Sequence, residues 1–115
     1  MPQHSFHELE NKLNAIEAAL HELAWWQATP PSPEDLASTL PFAVDTLSFA
    51  QWLQFILLAR LRQMLALDLP LPREISVYPM AQQSFAGLSE NTAQLMEAIA
   101  QLDEALSGQP VERQA

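Results

Sequence analysis

The chain has 115 residues, 49% of them apolar, and its 14 acidic residues against five basic ones give a formal net charge of −9. This length is typical of a single domain that buries enough surface to fold without a disulfide or a structural metal. The absence of cysteine excludes disulfide scaffolds, thiolate metal sites and cysteine nucleophiles.

Charge and apolar runs narrow the function classes further. Lys and Arg neutralise the phosphates in most nucleic-acid complexes, so we expect no direct DNA or RNA binding and no binding to an anionic membrane. The longest uninterrupted apolar run, 55–59, is far shorter than the ~20 residues that span a bilayer. Residues 1–10 lack the basic and apolar regions of a signal peptide. These features predict a cytoplasmic protein.

The first half of the chain predicts one long and one short helix. Apolar residues recur at steps of three and four over 6–26, which predicts the first main helix. Ser5 is its expected N-cap, and Glu8 completes a capping box. Ser32, followed by a proline and two acidic residues, predicts a short helix over 33–38.

The second main helix is predicted over 49–67, after a connecting loop over 39–46. Ser48 is its expected N-cap, with Gln51 at the capping-box position. Apolar side chains lie nearly all round this helix, so we expect it to be the buried, central helix of the fold.

The last part of the chain predicts another short and another long helix. A proline at the first helical position predicts the short helix over 79–86, ended by Gly87. A narrow apolar stripe over 90–106 predicts the third main helix, with Ser89 as its N-cap and Gly108 at its end.

These elements predict an all-α fold, a small helix bundle with three main helices, one or two short helices and long loops. We expect one domain over 1–115, ordered over about 5–107, with a flexible tail over 108–115. The apolar helix faces leave a homodimer open.

Arg60 is the first candidate site residue. At 100° per residue it falls on the same side of its helix as Phe49 and Leu53. A charge there needs a partner or a route to water. Two interpretations stay open: a partly buried ion pair with Asp45 in the preceding loop, or a side chain that reaches water from the edge of the core. Both are structural roles rather than a catalytic dyad.

Trp25 and Trp26 at the predicted end of the first helix are the second candidate. Adjacent helical residues point about 100° apart, and neither lies on the apolar stripe. They are either an exposed partner surface, since tryptophan is enriched at interface hot spots, or side chains covered by Leu36, Leu40 and their loop. We favour coverage.

Metal and catalytic sites are not expected. His4 and His7 are three residues apart, but a third ligand is missing because His21 lies several turns away. The sequence has no nucleophile elbow, phosphate loop or dinucleotide fingerprint, so no cofactor is predicted. Several acidic residues are interpreted as solvated helix faces: Glu17, Glu22, Asp103 and Glu104.

Three stretches resemble a known family. They are Pro41-Phe42-Ala43-Val44-Asp45-Thr46, Trp52-Leu53-Gln54 with Arg60 after it, and Leu69-Pro70-Leu71-Pro72 followed by Val77 and Pro79. In this order and spacing they resemble the YqcC-like family of small uncharacterised bacterial proteins, over roughly 9–102. Ala59 is a departure, since the family often has proline before the arginine.

The resemblance implies an all-α bundle and no established activity. Genes of the family can lie beside a tRNA pseudouridine synthase gene, which is an association without a mechanism. Our first hypothesis is a non-enzymatic protein-interaction module, accessory to such an RNA-modifying enzyme. The alternative is a small-molecule binding protein or enzyme whose site contains the motif residues: Pro41, Phe42, Asp45, Thr46, Trp52, Gln54 and Arg60. An enclosed pocket lined by them favours the alternative, and a filled core favours the first hypothesis.

Overall fold

The computed structural model describes residues 2–113, with side chains from His7 onward. Helices and loops make up the whole of this range, with no strand in it. The helices are α1 (Pro2–Glu22), α2 (Pro33–Leu36), α3 (49–66), α4 (Tyr78–Phe85) and α5 (Ala93–Ser107), and Pro41–Ala43 forms a 3-10 turn. The predicted all-α class is confirmed, with α1, α3 and α5 as the main helices.

The core lies mainly between α1 and α5, which form the most extensive helix pair. Their apolar stripes supply most of the fully buried side chains: Leu13, Ile16 and Leu20 from α1, and Leu95, Ile99 and Leu102 from α5. α4 packs against α5, and α3 adds its own buried residues to the same cluster. Burial of these apolar side chains is the main source of stability for a chain without disulfides.

Both ends of α1 differ from the prediction. The helix begins at Pro2, so the capping box expected at Ser5 and Glu8 lies inside it. It ends at Glu22, four residues before the predicted end, because Ala24 adopts a left-handed φ of 60°. A residue in that conformation cannot continue a right-handed helix.

The last turn of α1 is a Schellman motif. The Trp25 N–H donates to the Leu20 carbonyl at 2.9 Å, and the Ala24 N–H donates to the His21 carbonyl at 3.0 Å. Glycine usually occupies the left-handed position, because a β-carbon crowds the neighbouring carbonyl there. Because alanine and not glycine occupies this position, the sequence did not indicate the end of the helix.

The N-termini of α2 and α3 form as predicted. The Ser32 hydroxyl accepts a hydrogen bond from the Asp35 N–H at 3.1 Å. The Ser48 hydroxyl accepts one from the Gln51 N–H at 3.1 Å, and the Gln51 side chain accepts one from the Ser48 N–H at 2.9 Å. Both caps satisfy helix N–H groups that have no partner within the helix.

α3 contains a π-helical turn, Leu53–Leu58, which the sequence did not predict. Such a turn holds one extra residue, so later side chains are rotated by roughly 100° from their positions on a regular helix. Phe49 and Leu53 are buried as expected, but Arg60 points to solvent. The prediction of a central helix buried all round is wrong, since Ala59 and Gln63 are also exposed.

The second half of the fold follows the prediction more closely. α4 lies one residue from its predicted bounds. α5 begins at Ala93, three residues later than expected, so Ser89 is not its N-cap. Gly108 ends α5 with a left-handed φ of 75°, as predicted.

The C-terminal segment 108–113 returns along α5. The Val111 N–H donates to a Glu104 carboxylate oxygen at 2.9 Å. The Arg113 guanidinium binds the carboxylates of Glu97 at 2.9 Å and Glu104 at 2.6 Å. The flexible tail predicted over 108–115 includes residues 114 and 115, which lie outside the described range.

Candidate functional site

Two polar residues of the first motif bind their own loop. The Asp45 carboxylate accepts a hydrogen bond from the Ser38 hydroxyl at 2.6 Å, and the Thr46 hydroxyl donates to the Asp35 carbonyl at 2.7 Å. These bonds attach the loop after the 3-10 turn to α2 and to the residues that follow it. Within the described residues, Asp45 and Arg60 form no ion pair. Of the two interpretations of Arg60, the structure has the solvent-exposed side chain.

Gln54 anchors a second loop. Its side chain is 7% exposed, accepts a hydrogen bond from the Gln27 N–H at 2.9 Å and donates to the Gln27 carbonyl at 2.8 Å. One amide thus satisfies both backbone groups of a residue in the loop after α1. A buried amide with both its oxygen and its nitrogen bonded carries no desolvation penalty for an unmade bond.

Three other motif side chains, Phe42, Trp52 and Arg60, line an open groove of about 320 Å³, here called the α3 groove, whereas Pro41 is exposed and does not line it. Trp52, Ile56, Arg60 and Met64 form one wall, at steps of four residues along α3. Phe42, Pro72 and residues 74–77 complete the lining, together with Leu57 and Leu61 of α3. The motif residues are therefore divided: some fix loops, and others share a groove that is open to solvent.

Phe42 is held in the α3 groove by a strained turn. It adopts φ 58° and ψ 16°, and Ala43 beside it has φ 48°. The left-handed region costs a residue with a side chain roughly 1–2 kcal/mol. The Phe42 ring lies 4.7 Å from the Trp52 ring and 6.1 Å from the Phe49 ring, centroid to centroid. These aromatic contacts offset the strain and fix the ring.

Arg60 is the cation of the α3 groove, and it has no acidic partner within the described chain. By contrast, Arg62 pairs with Glu17 at 2.7 Å. Burial opposes the effect, but the hydrogen bond and charge of Arg62 hold the pKa of Glu17 below its ordinary value. Glu74 also lines the groove without pairing with Arg60. The Arg60 guanidinium keeps its N–H donors available.

The two adjacent tryptophans are partly covered. The Trp25 ring lies 5.4 Å from the Phe85 ring of α4, and the Trp26 ring stacks on His21 of α1 at 4.9 Å. Leu40, which we expected to help to cover them, is itself 47% exposed. The helix wheel misplaced both side chains because α1 ends before them.

Asp103 was interpreted as part of a solvated helix face, and that interpretation is wrong. It is 2% exposed, and its carboxylate accepts hydrogen bonds from the Val77 N–H at 2.9 Å and the Tyr78 N–H at 2.8 Å. Burial raises the pKa of Asp103, although the two backbone hydrogen bonds oppose the rise. The residue caps the start of α4. Asp103 comes one residue after Leu102 and four after Ile99, at the edge of the α5 stripe. That position is the feature of the sequence that indicates its burial.

The described part of the chain has neither a candidate metal site nor a membrane-spanning helix. Among residues 2–113, no group of three or more His, Cys, Asp or Glu side chains is placed to hold a metal ion. His7 is exposed, and the His4 side chain lies outside the described set. None of the helices in this range has the length and apolar character to cross a bilayer.

Comparison with known proteins gives a consistent family. Residues 8–105 match the family DUF446, whose description is tRNA pseudouridine synthase C. The chain is 33% identical to the protein YqcC of Escherichia coli K12 over 92 residues, which is 80% of this chain and 84% of YqcC. It is 28% identical to an uncharacterized protein of Haemophilus influenzae over 97 residues, covering 84% and 91% of the two chains.

Two further matches bear on architecture. The chain is 41% identical over 66 residues to a tRNA pseudouridine synthase C of Pectobacterium carotovorum, and the match covers 57% of this chain but 18% of that protein. Most of that longer protein therefore lies outside the match. The solution NMR structure of E. coli YqcC superposes with a TM-score of 0.80 at 28% identity, over 96% of both chains.

Proposed function

The chain belongs to the DUF446 family of YqcC-like proteins, and from that membership we propose that it is a cytoplasmic, non-enzymatic module that binds a tRNA pseudouridine synthase. The observation that carries the proposal is the 66-residue segment, 41% identical to this chain, within a protein named tRNA pseudouridine synthase C. Two segments of one polypeptide meet at an effective concentration of the order of millimolar. Where such a segment is not tethered to the enzyme, the two need an interface of their own.

The hydrogen bonds of the motif residues support a role without catalysis. A catalytic acid, base or nucleophile needs a free atom that faces a reacting group. Asp45, Thr46 and Gln54 instead direct their polar atoms to neighbouring loop groups. Asp103, the buried carboxylate, is likewise occupied by backbone N–H groups.

The net charge supports a protein partner rather than RNA. Contacts to phosphate supply much of the affinity for RNA, and a chain of charge −9 disfavours them. An enzyme that binds tRNA needs Lys and Arg side chains on its own surface. An acidic chain meets such a surface with complementary charge, which speeds the encounter of the two proteins.

The proposal is tested by calorimetric titration of this chain into the tRNA pseudouridine synthase C encoded in the same genome, at about 0.15 M salt. We expect a saturable complex and a changed rate of pseudouridine formation on tRNA. An unrelated acidic helical protein of similar size is the control for nonspecific charge. The absence of a complex at both low and physiological salt would refute the proposal. Light scattering on this chain alone reports whether it is a homodimer.

A second candidate, small-molecule binding, is favoured by one observation: Phe42, Trp52 and Arg60 line the same groove. Its volume of about 320 Å³ lies at the lower end of the range for ligand pockets. A thermal-shift screen with the isolated chain distinguishes this candidate. A compound that raises the melting temperature of the wild type but not of Arg60→Ala would favour it.

A further inference from the structure

The α3 groove has the composition of a protein-docking surface. Tryptophan and arginine are enriched at the centres of interfaces, where they provide large contact areas and directed hydrogen bonds. Trp52 is half-buried and Arg60 is exposed, and both lie on the same wall. Ile56 and Met64 add partly buried apolar surface between and beside them.

The charge at Arg60 indicates what the occupant carries. Fourteen acidic residues are present in the chain, yet within residues 2–113 none of them pairs with this guanidinium. The other arginine of α3, Arg62, and the C-terminal Arg113 both engage carboxylates. An arginine left unpaired beside an apolar surface is suited to binding a carboxylate from outside, because its planar N–H groups match that shape.

The turn at Phe42 gives a second, independent indication. A phenylalanine in the left-handed region is strained, and strain of this kind persists at sites where a particular side-chain placement is used. The Phe42 ring is one of the residues that line the α3 groove, against Trp52. The strained turn thereby keeps an aromatic surface available for an occupant.

We infer that the α3 groove is the docking site for the synthase, and that it binds a segment in which an apolar side chain is flanked by a carboxylate. The apolar side chain lies against Phe42 and Trp52, and the carboxylate binds Arg60. The inference rests on the proposed function, since the segment belongs to that enzyme. A groove of about 320 Å³ accommodates one or two large side chains, not a folded element.

Glu74 disfavours the binding of a carboxylate beside it. It is the acidic residue in the lining of the groove and makes no ion pair with Arg60. A carboxylate of the segment would be repelled by Glu74, so the charges of the lining favour its binding at Arg60. The overall charge of the chain speeds the encounter, and the charge of Arg60 favours an acidic side chain within the groove.

The test is calorimetric titration of the synthase with four proteins: wild type, Arg60→Glu, Phe42→Ala and the matched control Arg73→Glu. Arg73 is also exposed and unpaired within the described chain, and it does not line the groove. Because both variants replace an arginine with a glutamate, they change the net charge equally. Circular dichroism of each variant verifies that the helices are retained.

We expect Arg60→Glu to weaken binding by roughly tenfold or more, as at an interface hot spot, and Arg73→Glu to change it little. Retained binding by both Arg60→Glu and Phe42→Ala would overturn the inference while leaving the proposed function intact. Absence of binding by the wild type would overturn both. Binding of the wild type to tRNA in the absence of the enzyme, if it is lost in Arg60→Glu and Phe42→Ala, would mean that the groove contacts RNA. That result would also overturn the inference.

Discussion

The side-chain amide of Gln54 on α3 pairs with the backbone of Gln27 through two hydrogen bonds, of 2.9 and 2.8 Å. The pair joins residues 27 positions apart in the chain. It holds the loop after α1 against α3, with the same donor and acceptor pattern that a neighbouring β-strand would offer. The position thus explains why a polar residue is buried in the middle of an apolar helix.

Gln54→Glu should destabilise the fold in a pH-dependent way. The substitution keeps the acceptor for the Gln27 N–H but replaces the donor to the Gln27 carbonyl with an oxygen. We expect a loss of about 1–3 kcal/mol in the free energy of unfolding at neutral pH. The loss should shrink below about pH 4, where protonation of the new carboxyl restores a donor. Urea denaturation at both pH values measures it, with the exposed Gln63→Glu as a control expected to have little effect.

Ala24→Gly should stabilise the protein. Ala24 is exposed and has a left-handed φ of 60°, a conformation that glycine adopts without steric cost. Glycine relieves this strain, but it also has more conformational entropy to lose when the chain folds. The balance predicts an increase of up to about 1 kcal/mol in the free energy of unfolding. The matched control, Ala18→Gly, lies at an exposed position inside α1 and should lose about 1 kcal/mol. The same sign for both changes in thermal unfolding would contradict the Schellman assignment.

Asp103→Asn should destabilise the start of α4, because the new amide directs a donor toward a backbone N–H. The expected loss at neutral pH is about 1–3 kcal/mol. Burial raises the pKa of Asp103 in the folded state, so the native protein binds this proton more tightly than the unfolded chain. Its contribution to stability is present below the ordinary pKa and declines as pH rises through the folded-state pKa. The advantage of wild type over Asp103→Asn should therefore grow from pH 7 to about pH 4. An advantage that decreases over that range would contradict the raised pKa, and the exposed Asp68→Asn is the control.

Glu97 should titrate far below an ordinary glutamate. The hydrogen bonds from Arg113, and a weaker contribution from Gln101, lower the pKa of Glu97 to about 2. Because its pKa is lowered in the folded state, Glu97 contributes to the stability of the fold at pH values above the ordinary glutamate pKa. This contribution is lost as the pH falls toward 2. The site is largely exposed and solvent screens it, so the effect on stability is small. Carbon-detected NMR titration of the Glu97 carboxyl should show this pKa, and Arg113→Ala should move it toward 4.5. An unchanged titration in Arg113→Ala, or a shift of equal size in Arg73→Ala, would contradict the assignment.

Local rules predicted much of this fold. The caps at Ser32 and Ser48 and the glycine at 108 each place a helix boundary through a hydrogen bond or a backbone preference that one residue type supplies. The apolar stripes of α1 and α5 follow from periodicity alone. These features depend on neighbours within a few residues along the chain, so they can be predicted from the sequence.

Other features depend on contacts that a sequence does not display. The π-helical turn in α3 shifted Arg60 away from the side computed for a regular helix, and it has no residue signature here, since Ala59 stands where the family often has proline. The burial of Asp103 depends on two N–H groups that are 26 and 25 residues away. The motif residues were identified together, but their separation into loop anchors and groove wall required the structure.

The pairing of α1 with α5 has a consequence for synthesis on the ribosome. About 70 residues separate the end of the first helix from the start of the last. At roughly 5–20 residues per second, on the order of 4–14 s pass between synthesis of the end of α1 and the start of synthesis of α5. During that interval Leu13, Ile16 and Leu20 lack the α5 side chains that cover them in the finished fold. We expect ribosome-associated chaperones to engage the chain at this stage, and chains truncated before Ala93 to aggregate.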